Sequence, residues 1–116
     1  ETYPLARHDG LPMFLQGIAG SPGQGEGTIK VLTQGQTAEI NATTILVVPY
    51  TDAGWAPVLS RAGGLIAEVG GRLSHGAIVA REYGIPAVMD IADATQRFQD
   101  GQRVRIDGER GTVELL

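Results

Sequence analysis

The stretch "GGRLSHGAIVAREYGIPAV", residues 70–88, decides how this chain is read. A glycine pair precedes Ser74, a good helix N-cap type, and helix-compatible residues follow from His75. Gly84 suits the left-handed position just past a helix, and Pro86 cannot continue one. The spacing predicts a helix of roughly ten residues starting near His75, with a small apolar middle from Ala77 to Ala80 that packs closely. His75 then lies in the first turn, where backbone N–H groups lack helical partners and the helix dipole attracts anions. Gly70 and Gly71 let the backbone approach a ligand closely or adopt positive φ. A neutral imidazole keeps one nitrogen lone pair and can take a phosphoryl group. Arg72, three residues earlier, can add positive charge. These local features leave two readings open: His75 caps and packs, or it does chemistry.

Working outward, "LIAEV" (65–69) and "AVMDI" (87–91) read as short buried strands on either side of the helix. "ILVVPY" (45–50) is another apolar, β-branched run, and "TIKVLT" (28–33) alternates as a strand does. Residues 34–43 are polar and turn-like. "TDAGWAPVLSRAGG" (51–64) predicts a loop, then a short helix from about Trp55, closed by Gly63 and Gly64. There Trp55 is expected in the core or at an interface rather than as a substrate platform, and Asp52 as a cap. "ADATQRFQDG" (92–101) holds a helical turn or a loop. "QRVRIDGERGTVELL" (102–116) predicts a hairpin turning at "DGERG". "GIAGSPGQGEG" (17–27) predicts a loop or a bulged edge strand, and residues 1–16 a linker or edge segment with His8 exposed. The fold class expected is α/β, a compact sheet or barrel of short strands with two or three short helices.

Composition narrows the functions. The 116 residues fit one domain, 42% of them apolar, and no run of apolar residues is long enough to cross a bilayer. The chain opens on Glu1, which suggests an excised or processed piece, and shows no leader pattern of its own. Cysteine is absent, which removes disulfides, thiolate metal sites and cysteine nucleophiles and suits a reducing cytoplasm. Net charge is −4 with scattered arginines and the single lysine Lys30, so neither nucleic acid nor an anionic membrane is an expected partner. Two histidines without cysteine, and no carboxylate cluster, make no metal site. "GSPGQGEG" (20–27) lacks the Lys-Ser/Thr that ends a P-loop.

Residues 70–88 closely resemble the signature of the phosphohistidine swivelling domain of the PEP-utilising enzymes. That family includes phosphoenolpyruvate synthases, dikinases and antibiotic phosphotransferases. The pattern is Gly-Gly, Ser/Cys-His, a small-apolar helix with Ala-Arg, then Gly-Ile-Pro-Ala-Val. Residues 17–27, the Thr-Asp-x-x-Trp-x-Pro loop with its flanking strands, and the closing hairpin resemble the family as well, so the likeness spans residues 17–116. It implies a β/β/α swivelling fold and a carrier role. His75 would accept a phosphoryl group at an ATP or PEP site and donate it at a second site, with Gly70, Gly71, Arg72, Ser74 and Gly76 as the phosphate cradle. Glu68 is expected to orient the imidazole from its strand end, and Arg81 to anchor the helix or meet a partner domain.

The resemblance also implies that this domain binds no cofactor. ATP and Mg2+ would sit on a nucleotide-binding domain of the parent chain, and the acceptor (pyruvate/PEP or an antibiotic) on another. The isolated domain would not turn over. Two positions depart from the pattern. Leu73 stands where many members have threonine, and Asp90 where the usual strand ends in glycine. The alternative of another class is a non-catalytic scaffolding module that keeps the fold.

Overall fold

The computed structural model describes residues 14–33 and 40–116. Among the described residues eight strands run in chain order: β1 (Phe14–Gln16), β2 (Ile18–Ser21), β3 (Gln24–Val31), β4 (Thr44–Val48), β5 (Gly64–Ala67), β6 (Ala87–Met89), β7 (Arg103–Asp107) and β8 (Thr112–Leu115). A 3₁₀ turn (Ala53–Trp55) leads into α1 (Ala56–Leu59); α2 spans His75–Tyr83 and α3 Ala94–Arg97. All strands join one sheet in the order β1-β8-β7-β3-β4-β5-β6-β2. The pairs β3–β4, β4–β5 and β5–β6 are parallel, the rest antiparallel. The two ends of that order, β1 and β2, are consecutive in the chain with only Gly17 between them. The sheet must therefore curl round on itself.

The parallel centre explains the apolar runs. Every residue of β4, β5 and β6 is buried, as expected of strands covered on both faces. Alternation sorts β4 between two cores. Leu46 and Val48 pack with Trp55, Leu59, Leu65, Ala77 and Ala80 under α1 and α2. Ile45 and Val47 pack with Ile66, Val88, Phe98, Val104 and Ile106 on the other face.

Several sequence expectations shift here. Of the two readings of segment 17–27 the bulged edge strand holds: it contains β2, an edge strand with a register irregularity between Ala19 and Ser21, and the first half of β3. Gly27 serves a close crossing: a Cβ on it would lie 2.2 Å from the Thr43 carbonyl oxygen. The helix after Trp55 ends at Leu59, ahead of Gly63 and Gly64. Gly64 opens β5, and a Cβ on Gly63 would meet the Ala42 carbonyl at 2.0 Å. Trp55 is buried in the core, and Asp52 accepts a hydrogen bond from the Gly54 N–H at 3.0 Å, starting the 3₁₀ turn. Asp90 adopts φ 64° and ends β6, a left-handed backbone that favours glycine and that aspartate tolerates better than most residues. Of the segment read as linker or edge, Phe14–Gln16 is the edge strand β1, paired with β8; His8 lies outside the described residues.

The hairpin turn of β7–β8 is fixed by Asp107. Its Oδ1 accepts from the Glu109 and Arg110 N–H groups at 3.0 and 3.1 Å, and its Oδ2 from Gln24 at 3.3 Å. The Arg110 N–H, first among these, holds the carboxyl below its ordinary value. A depressed folded value means the stabilisation is whole above the unfolded pKa and is lost as pH falls through the folded one. Asp107→Ala is therefore expected to be less stable than the parent at neutral pH. Urea melts should show that gap narrowing once pH drops well below about 4.

Candidate functional site

Two parallel strands end side by side and deliver the site. β4 leads through Pro49 and Tyr50 to Thr51; β5 leads through Glu68 and Val69 to the glycine turn and α2. This is the carboxyl end of a parallel sheet, where α/β folds place ligands. His75 is exposed at the first position of α2, and its Nδ1 lies 3.0 Å from Thr51 Oγ1. A Cβ on Gly76 would come within 2.8 Å of that Oγ1, so glycine there lets the threonine reach the ring. Sequence reasoning missed Thr51, although it opens the Thr-Asp-x-x-Trp-x-Pro loop.

Thr51 engages Nδ1 of the ring and not Nε2. When Nδ1–H donates to the hydroxyl, the lone pair sits on Nε2 and the ring is oriented by a neighbour, as reactive imidazoles generally are.

The turn before the helix is built around Ser74. Its backbone has the extended N-cap conformation (φ −73°, ψ 160°), but its side chain makes no cap bond. The Oγ instead donates back to the Gly71 carbonyl at 2.7 Å, and the Ser74 N–H donates to the same oxygen at 3.1 Å. Expected as a side-chain cap, Ser74 therefore closes the turn and leaves the first N–H groups of α2 uncapped by a side chain. Gly70 has φ 121°, and a Cβ there would meet Ser74 Oγ at 2.8 Å, so both its backbone and its space require glycine. The helix ends at Gly84 with φ 73°, in the left-handed cap conformation expected.

Arg81 is an anchor. Its Nη1 donates to the Gly20 carbonyl and its Nη2 to the Arg72 carbonyl at 2.7 Å, tying β2 and the glycine turn to α2. The exposed Arg72 side chain makes no ion pair with a carboxylate among the described residues. Glu68 does not orient His75. Its Oε2 accepts from the Thr95 N–H at 2.8 Å and from the Thr95 hydroxyl, which commits the carboxylate to the first turn of α3. Tyr50, Val69, Leu73 and Ile78, each close in the chain to Thr51 or His75, are exposed. Among the described residues no three His, Asp or Glu side chains come together as a metal would need, and no helix is long and apolar enough to cross a membrane.

Residues 40–111 match the family model described as PEP-utilising enzyme, mobile domain. The chain belongs to that family. Its relatives are enzymes of much greater length. It is 43% identical over 111 residues, 95% of the chain, to a rifampicin phosphotransferase of Streptomyces sviceus, and spans 13% of that protein. To a phosphoenolpyruvate synthase of Aeropyrum pernix it is 41% identical over 103 residues, 87% of this chain and 13% of that one. Among solved structures, an Enzyme I protein shares the fold at TM-score 0.57 and 28% identity, over 70% of this chain and 33% of that one. The holo-form aconitase X of Thermococcus kodakaraensis shares the fold at TM-score 0.69, with 23% identity over 90% of this chain and 98% of that one. The mobile domain thus spans about one-eighth of the curated relatives' length.

Proposed function

We propose that this mobile domain is a phosphohistidine carrier within a phosphotransferase, with His75 Nε2 as the atom that bears the phosphoryl group. The observation that carries the reading is the Thr51–His75 pair, which occupies Nδ1 and leaves Nε2 for the phosphoryl group. In the loading step the Nε2 lone pair attacks phosphorus and forms the N–P bond. The P–O bond to the donor breaks, and its electron pair leaves with the donor oxygen. In the second step an acceptor oxygen forms a new P–O bond, the N–P pair returns to Nε2, and the acceptor's proton passes to solvent or a base at that site. The phosphoryl group brings close to two negative charges. The uncapped N–H groups at the start of α2 favour it there, as helix starts favour anions, and Arg72 is the nearest cation in sequence not committed to a carboxylate.

Phosphoryl transfer is largely positioning and charge neutralisation. For Mg2+ the described residues near His75 do not fit: Asp52 caps its own turn and Glu68 caps α3. Nucleotide and Mg2+ are therefore assigned to another part of the parent chain, and the acceptor, a small carboxylate or an antibiotic hydroxyl, to a third. Glu68 is not needed in this scheme.

The test is phosphorus and nitrogen NMR on the parent protein incubated with ATP and Mg2+. An acid-labile, alkali-stable phosphoramidate coupled to Nε2 of His75 is expected. A phosphoryl group on Nδ1, or none on an otherwise active parent, overturns the reading.

A further inference from the structure

The turn that delivers His75 has little to hold it in place. Gly71–Ser74 closes on itself, because the Ser74 N–H and Oγ both donate to the Gly71 carbonyl. Neither central residue, Arg72 or Leu73, has positive φ, so the turn is of type I and its central peptide has one sense. Leu73 is 86% exposed, and Arg72 is exposed with no carboxylate partner among the described residues. The hydrogen bonds of Gly71–Ser74 among the described residues stay inside the turn or join the start of α2, with one exception. The Arg72 carbonyl, the acceptor on the central peptide, takes a hydrogen bond from Arg81 Nη2 at 2.7 Å.

A bulge in β2 is the other abutment. The pairing of β2 with β6 slips between Ala19 and Ser21, which leaves Gly20 as the extra residue. Bulges re-aim groups out of a ladder, and the Gly20 carbonyl accepts from Arg81 Nη1. The bulge is itself packed on β6, since a Cβ on Gly20 would lie 2.7 Å from Met89 Cγ. Arg81 comes six residues after His75, about 9 Å along the helix axis. Helical side chains lean toward the N-terminus, so a long one is needed to reach back to the turn. The guanidinium carries its donors in a fixed planar fork, which lets one side chain bridge carbonyls of two different elements.

We propose that Arg81 is a positioning residue for phosphoryl transfer. It ties the central peptide of the glycine turn to the bulge in β2 and so holds the turn in register with His75. The inference rests on the carrier reading. Both terminal nitrogens of the guanidinium are taken up by carbonyls, so Arg81 acts through the turn rather than on phosphorus. Released from that tie, the turn would have to be ordered at each transfer, and misplacement near reacting atoms lowers the rate. The effect belongs to His75 and its turn, so it is the same for every donor.

The experiment uses the full parent protein with Arg81→Gln, which removes the charge and the fork, and Arg81→Lys, which keeps the charge alone. Each is loaded from phosphoramidate, a small donor that needs no partner domain, and from ATP with Mg2+. Label is read on the His75 peptide at temperatures where circular dichroism shows the variant folded. Both donors should load Arg81→Gln about tenfold more slowly than the parent, by the same factor. The label should stay on Nε2, because Thr51 is untouched. Arg81→Lys should remain slow with both donors, and it alone carries the test if Arg81→Gln does not fold. A merely structural Arg81 would lower the melting temperature and leave both loading rates parental in the folded protein, which overturns the proposal. Slowing with ATP alone overturns it too, since Arg81 would then be a contact of the partner domain. So does parental loading in Arg81→Lys, since charge would then account for the effect. Failure of the carrier reading looks different: the unmutated parent then gains no label on His75 from either donor.

Discussion

His75→Ala is expected to abolish phosphoryl acceptance, with turnover of the parent enzyme falling on the order of 10⁴-fold or more, as when a covalent nucleophile is removed. Incorporation of labelled phosphate from ATP measures it directly. The fold should survive, because His75 is exposed and, among the described residues, its side chain bonds to Thr51 alone. Thr51→Val separates orientation from nucleophilicity. It keeps the side-chain volume beside Gly76 and removes only the hydroxyl. Loading should slow by roughly 10- to 100-fold through lost positioning. A second sign should accompany it: with Nδ1 no longer occupied, some label should appear on Nδ1, and Thr51→Ser should restore Nε2 alone. A Thr51→Val protein that loads normally and only at Nε2 would show that the 3.0 Å contact does not direct the reaction.

That threonine also marks how far the sequence could be read. The helix at His75 was legible because its signals are local: a serine before it, a small apolar face, then Gly84 and Pro86. The buried strands β4, β5 and β6 were legible as apolar runs. Thr51 was not, because its role depends on two strand ends meeting 24 positions apart in the chain, with Gly76 keeping the space between them clear. Glu68 misled for the complementary reason. Its place at the end of β5 points toward the site, but α3 offers an N–H and a hydroxyl that take its carboxylate away. The glycine-rich segment 17–27 reads by composition as loop or bulged edge strand, and composition does not choose between them. In the structure it is largely strand, since curling the sheet brings β2 and β3 against other backbones too closely for a Cβ. Asp90, a departure from the family pattern, turns out to hold the left-handed backbone that glycine would supply elsewhere.

Gly108→Ala is expected to have the largest effect on stability. Its Cβ would lie 1.7 Å from the Ser21 carbonyl oxygen and 3.1 Å from the Ala87 N, both backbone atoms. Neither can swing aside as a side chain does. The turn cannot easily retreat, because the Gly108 N–H donates to the Gly23 carbonyl at 2.7 Å and Asp107 holds the next two N–H groups. At its far end Gly111 lies against the backbone of β2, with a Cβ there 2.8 Å from the Ala19 N. Relief must come from moving β2, and β2 is tied through Gly20 and Arg81 to the carbonyl of Arg72 in the glycine turn. Overpacking of this kind costs about 3 kcal/mol or more, a fall in melting temperature of roughly 10–15 °C for a domain this size. Thermal melts of Gly108→Ala and Gly71→Ala side by side make the comparison decisive. One added methyl should unfold the protein many degrees early at Gly108 and leave it unchanged at Gly71. If both melt with the parent, the β7–β8 turn is not packed against β2 as described. If both fall together, Gly71 has a structural duty despite the open space around its Cβ position.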